Sequence, residues 1–210
     1  MAEIILTPQD VQKHKKYLII AIALHLSFFV VELLISLLIS NANSNAADSV
    51  DMLIDGLALI VALCVVNKST SSKNKASVIV GCFQLFSALL VLTKIIYSFF
   101  YPETVSYIYV VCFGAGALLV NVIVVFLFKK IKNQGMHLKA SYIFSFIDIY
   151  SNLGMIICGL LGMYVLHDKP VLVASLPDLI VATIIFILIL TEGIKIFIEV
   201  KHDGEKEQEK

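Results

Sequence analysis

The sequence predicts an all-α, polytopic membrane protein, with six transmembrane helices and both termini on the cytoplasmic side. Of its 210 residues, 59% are hydrophobic and only 15% charged, more apolar side chain than a soluble domain of this size can bury. Mean hydropathy is +0.92. The apolar residues fall into six runs, 17–40, 46–66, 77–100, 106–128, 138–166 and 171–199, each close to the ~20 residues that cross a bilayer as a helix. The lysines, which are the sole basic residue type beside histidine, gather in alternate connectors.

The leader MAEIILTPQDVQKHKK, residues 1–16, has no basic segment ahead of a short apolar core and no small-residue cleavage site, so it reads as a cytoplasmic segment rather than a removable signal. The connectors NANSN, NKSTSSKNK, YPET, KKIKNQGMH and LHDKP are rich in the turn formers and charges that interrupt spans. Lys13, Lys15 and Lys16 precede the first run; Lys68, Lys73 and Lys75 follow the second; Lys129, Lys130 and Lys132 follow the fourth. The first connector has no lysine, the third only Glu103, and the fifth Lys169 beside Asp168. Lysine on the cytoplasmic side then fixes both ends as cytoplasmic. The transmembrane domain is expected over 17–200, and residues 201–210 as a short, frayed, solvated tail with no second domain after it.

Cys64, Cys82, Cys112 and Cys158 lie inside apolar runs without CxxC or Cys/His spacing, so they read as packing residues. No basic patch points to nucleic acid. No connector assembles a nucleophile, a base and an oxyanion site, so no catalytic residue, no enzyme and no bound cofactor are expected.

The informative residues are polar ones inside the spans. Asp48, Asp51 and Asp55 recur at steps of three and four, which places them on one helix face. Each aspartate at a helix centre costs about 2.5–3.5 kcal/mol against lipid, so this face must meet protein or water. Asp48, near the start of its run, reads either as part of the site or as a helix N-cap; Asp55 lies too deep for that. The fifth run carries a second polar stripe: Asp148 and Asn152 at i, i+4, with Ser145 and Ser141 along the same face. The serines also read as hydrogen-bonding contacts between helices, whereas an ionisable Asp148 needs a partner. Two acidic stripes meeting across a bundle cannot all stay ionised without protons or a cation among them, which describes a site for a divalent cation. Carboxylate oxygens suit Zn²⁺, Mn²⁺ or Fe²⁺.

Other polar positions have plainer readings. His25 reads as a hydrogen-bonded interior residue or a proton relay; Glu192 and Lys195 as an i, i+3 ion pair or snorkelling groups. Lys94 also falls within a run, and His14, His137 and His167 fall in connectors or at the interface.

The chain resembles the cation diffusion facilitator (cation efflux) family over essentially all six runs. The resemblance is carried by Glu32 in FFVVELLISLL, by AADSVDMLID, by KASVIVGCFQLFSALL, by Asn121 in GALLVNVIVVFLFKK, by LKASYIFSFIDIYSNLG, and by Asp178 in PDLIVATIIFILIL. It implies a transport site with two ligands from the second span, Asp51 and Asp55, and two from the fifth, at Phe144 and Asp148. Phe144 is not a ligand, so a replacement is expected from Asn152, Ser145, Asp48 or water. Ser77 replaces an acidic residue common in the family, the usual cytosolic metal-binding domain after the sixth span is missing as in compact relatives, and the fourth connector lacks a His-rich tract.

The expected metal residues are therefore Asp51, Asp55, Asp148 and Asn152, with Asp48 and Ser145 as further candidates. The expected function is export of a divalent transition-metal cation, Zn²⁺ first by family and Fe²⁺ or Mn²⁺ next, by alternating access in exchange for protons. The expected partners are the lipid bilayer, the metal ion, protons and, by family, a second copy in a homodimer. The competing reading is a non-transporting membrane scaffold or regulatory subunit that kept the bundle. Neither a bacterial inner membrane nor a eukaryotic membrane is singled out.

Overall fold

In the computed structural model, residues 8–208 are described apart from 41, 67, 69, 103, 132–135 and 167. Glu103, Lys132 and His167 lie outside the described residues, and so do the side chains of Lys73, His137, Ser141 and Phe144. Among the described residues six helices follow one another: α1 (Pro8–Ile35), ending in a π-helical turn at Ser36–Ser40, α2 (Asn43–Val65), α3 (Thr70–Phe100), α4 (Tyr107–Lys129), α5 (Met136–Tyr164) and α6 (Val171–Gln208). No strand occurs among the described residues.

The helix ends extend past the apolar runs where the local sequence permits. Pro8 opens α1, a position where its missing N–H costs nothing and its fixed φ already suits a helix. Most of the second connector is taken into α3, which opens at Thr70. Residues 201–208, expected to fray, continue α6, since Glu, Lys and Gln are good helix formers and Gly204 alone opposes them by about 1 kcal/mol.

Among the described residues five helices are long and apolar enough to span a membrane; α2, which carries three aspartates, is not one of them. The packing accommodates it, because α2 touches every other helix and buries residues from Asn43 to Ala62. The closest pairs are α1 with α2, α3 with α6, and α4 with α5. One apolar cluster, including Leu18, Leu59, Val124 and Phe128, joins α1, α2 and α4; a second, including Val91, Val110, Met155 and Ile185, joins α3 to α6 through the start of α2. Large apolar side chains such as Leu38, Phe86, Phe126, Ile157 and Ile180 face outward, the surface that lipid covers. Cys64, Cys82 and Cys112 lie on that outer surface and only Cys158 is in the interior, so the expected packing role holds for Cys158 alone.

The α4–α5 pair is close because α5 presents glycine to it. A Cβ at Gly159 would stand 3.0 Å from the Val111 backbone nitrogen and 3.1 Å from the Tyr107 carbonyl oxygen, and one at Gly162 would strike the Tyr107 ring. Small residues at such crossings let helices pack where no hydrophobic effect drives them together.

Candidate metal site in the helix bundle

The site depends on where α2 starts. Its N-cap position is Ala42, which has no side chain to satisfy the first backbone N–H groups. Asp178 of α6 does so instead. Its carboxylate accepts hydrogen bonds from the Asn43 backbone N–H at 2.7 Å and side chain at 3.0 Å, and from the Ser44 backbone N–H at 3.0 Å and hydroxyl at 2.5 Å. Ser98 of α3 donates to Asn43 Oδ1 at 2.6 Å, so three helices meet at this cap. The carboxylate also sits at the positive end of the α2 dipole. Asp48 is thereby placed a full turn inside α2, and the N-cap reading of Asp48 is overturned.

With that origin set, the aspartates of α2 form three rungs. Asp48 faces Glu32 of α1, carboxyl against carboxyl. Asp51 faces Asp148 of α5 in the same way. Asp55 Oδ2 lies 3.3 Å from His25 Nε2 of α1. From Asp48 to Asp55 the rise along the axis is about 10 Å. Glu32, Asp48, Asp51 and Asp148 are buried, and Asp55 retains 15% of its side-chain exposure. Two carboxyl groups that face each other away from water need a proton or a cation between them. No donor reaches either oxygen of Glu32, nor Asp48 Oδ2 or Asp51 Oδ1.

Asn152 is fully buried with neither amide atom hydrogen-bonded, and Ser145 is buried on the same helix. The neighbouring Ser151 hydroxyl turns back onto the Asp148 carbonyl oxygen of its own helix at 3.0 Å. The predicted residues are thus brought together in part, Asp51 with Asp148, while Asp55 turns to α1 and Asp48 to Glu32. Among the described residues no group of three or more His, Cys, Asp or Glu side chains is gathered closely enough to hold a metal ion.

Three participants carry more than their sequence reading. Asp178 was legible only as a family position, and its partners are residues Asn43 and Ser44, which look like an ordinary polar loop in the sequence. Glu192 turns inward and accepts a hydrogen bond from Gln84 of α3 at 3.1 Å, while Lys195 is exposed, so snorkelling describes Lys195 and not Glu192. Gln84 itself is buried in a run that otherwise reads as lipid-facing. An interior glutamine in a span is the one signal that could have found this contact.

Comparison with protein families matches residues 18–200 to the cation efflux transmembrane domain. The chain belongs to the cation efflux family. It is an integral, multi-pass membrane protein and a metal cation transporter of the cation diffusion facilitator kind. Comparison with curated proteins gives no match. In this cation efflux domain Glu32, Asn121 and Asp178, which carried part of the resemblance outside α2 and α5, are all buried and all face other helices: Glu32 faces Asp48, Asn121 lies beside His25, and Asp178 caps α2.

Proposed function

We propose that this chain exports a divalent transition-metal cation, with Zn²⁺ first and Fe²⁺ or Mn²⁺ next, and that protons move the other way. Asp51, Asp55, Asp148 and Asn152 bind the ion, and Asp48 and Ser145 border the path. The single observation that favours this reading is the buried meeting of Asp51 on α2 with Asp148 on α5. A carboxyl pair held away from water is poorly served by any arrangement except a proton or a cation between its oxygens, and a metal entering there displaces the proton. Exchange of metal for protons then needs one site rather than two. Alternating access exposes that site to each side of the membrane in turn. The membrane dimer expected for the family belongs to the same proposal.

The test is flux in proteoliposomes, read with a metal-sensitive dye and a pH dye in the lumen. Wild type should move metal with counterflow of protons, and Asp55→Ala and Asp148→Ala should abolish both signals. Full flux in both variants refutes the assignment, and so does a wild-type protein that moves neither ion and takes up no metal at equilibrium, the behaviour of a scaffold.

A further inference from the structure

We infer that His25, on α1, is a direct ligand of the transported metal and sets the preference for a zinc-like ion over a purely oxygen-seeking one. This rests on the transport reading above. His25 is fully buried, and its Nδ1 is 2.9 Å from the Ala21 carbonyl oxygen one turn back along α1. That bond requires the proton on Nδ1, so Nε2 carries the lone pair in the neutral ring, and the ring is held with Nε2 pointing at Asp55. Metal-bound histidines are held in this way, with the far nitrogen donating to a backbone carbonyl.

Nε2 makes no well-aligned hydrogen bond, and it stands 3.3 Å from Asp55 Oδ2. This is long for an N–H···O bond, which favours about 2.9 Å. It matches the distance between two ligands of one tetrahedral ion: bonds of about 2.0–2.1 Å to nitrogen and 2.0–2.2 Å to oxygen put neighbouring ligand atoms about 3.3–3.5 Å apart. The same spacing serves a His–Asp ion pair when the ring is protonated, and an ion can replace that proton.

The chemistry of the donor set points the same way. Asp51, Asp55 and Asp148 supply three carboxylates, and the residue one turn before Asp148 is Phe144, which offers no ligand. Three carboxylates alone would suit Mg²⁺ or Mn²⁺ as well as zinc, whereas one imidazole shifts the balance towards Zn²⁺. Asn121 of α4 lies beside the ring and is a positioning residue. The Asp51–Asp148 and His25–Asp55 pairs sit one turn apart on α2, so one ion held by all four requires the two pairs to close together, since among the described residues no three of these groups converge.

The experiment uses the full chain in detergent, with Zn²⁺ and then Mn²⁺ as the probe, read by equilibrium binding and by X-ray absorption at the zinc edge. Wild type should bind zinc with imidazole scattering. His25→Ala and His25→Gln should lose that scattering and weaken zinc at least tenfold, while manganese changes less than threefold. A variant with His14, His137, His167 and His202 all replaced by Gln, which leaves His25 untouched, should keep the scattering. Zinc affinity within twofold of wild type in folded His25 variants overturns the inference, as does loss of imidazole scattering in the fourfold variant. If Asp55→Asn abolishes binding while the His25 variants bind normally, only this inference falls; if wild type binds neither metal, the transport reading falls with it.

Discussion

Removal of the Asp178 carboxylate should loosen the whole bundle, because α2 has no cap of its own and touches every other helix. Asp178 accepts four hydrogen bonds, two from backbone N–H groups and two from the side chains of Asn43 and Ser44. Hydrogen bonds within membrane proteins average about 0.6 kcal/mol each, and those to a charged acceptor in protein interiors reach about 1.5 kcal/mol or more. Four of them place the cost of Asp178→Ala at roughly 2.5–6 kcal/mol. Asp178→Asn keeps one acceptor oxygen but turns an NH₂ group towards donors, so about half of that loss is expected. Ser44→Ala removes one bond and should cost about 1 kcal/mol. Unfolding in mixed micelles of rising SDS content, followed by circular dichroism, measures all three. The double variant Asp178→Asn/Ser44→Ala should cost less than the sum of its parts, since the two residues share a contact. An Asp178→Ala protein within 0.5 kcal/mol of wild type, or strict additivity in the double variant, would refute the account of α2 as a helix capped from α6.

Three further outcomes are expected. Gly159→Ala should destabilise the bundle by about 1–3 kcal/mol, because the added methyl meets Val111 Cγ2 at 2.5 Å and, close behind it, the α4 backbone, which cannot turn aside as a side chain can; the same micelle titration reads it. Gln84→Leu should cost about 1–3 kcal/mol by leaving Glu192 without its donor, and Gln84→Glu should cost more by setting two carboxyl groups together. Metal affinity measured by competition with a chelator of known pH dependence should fall as pH falls, by about tenfold per pH unit for each proton the ion displaces, and a pH-independent affinity would count against metal–proton exchange at these carboxylates.

The helices were legible because a bilayer imposes a coarse rule, and runs of apolar residues punctuated by NANSN or YPET report it without any knowledge of packing. The face shared by Asp48, Asp51 and Asp55 was legible for the same reason: steps of three and four fix a face whatever lies opposite. What lies opposite was not. That Asp55 meets His25 of α1, that Asp48 meets Glu32, and that Glu192 meets Gln84 are consequences of how helices distant in sequence are rotated against each other. The cap on α2 is the clearest case, since Asn43, Ser44 and Asp178 are individually unremarkable and acquire their role only when α6 passes the end of α2. The extension of α6 to Gln208 is hidden for a different reason: a run of charges suggests a solvated tail, although Glu and Lys are good helix formers.

The position of α2 reconciles two demands that conflict in a lipid environment. A path for a divalent ion needs carboxylates at membrane depth, and a helix carrying three of them is costly wherever lipid can reach it. Enclosing α2 among the other five helices removes lipid from its polar face, but it creates a second difficulty, because buried carboxyl groups then need partners that the bundle must supply. The observed partners are other ionisable side chains, Glu32, Asp148 and His25, each from a neighbouring helix and none from α2 itself. Replacement of these by fixed donors such as asparagine or arginine would satisfy the same carboxylates more fully and would leave nothing for an entering cation to displace. A bundle selected for stability alone has no reason to avoid that solution. Asp178 shows the contrast within the same chain: its carboxylate is fully met by N–H and O–H donors, it lies at the end of α2, and it has no capacity left for an ion.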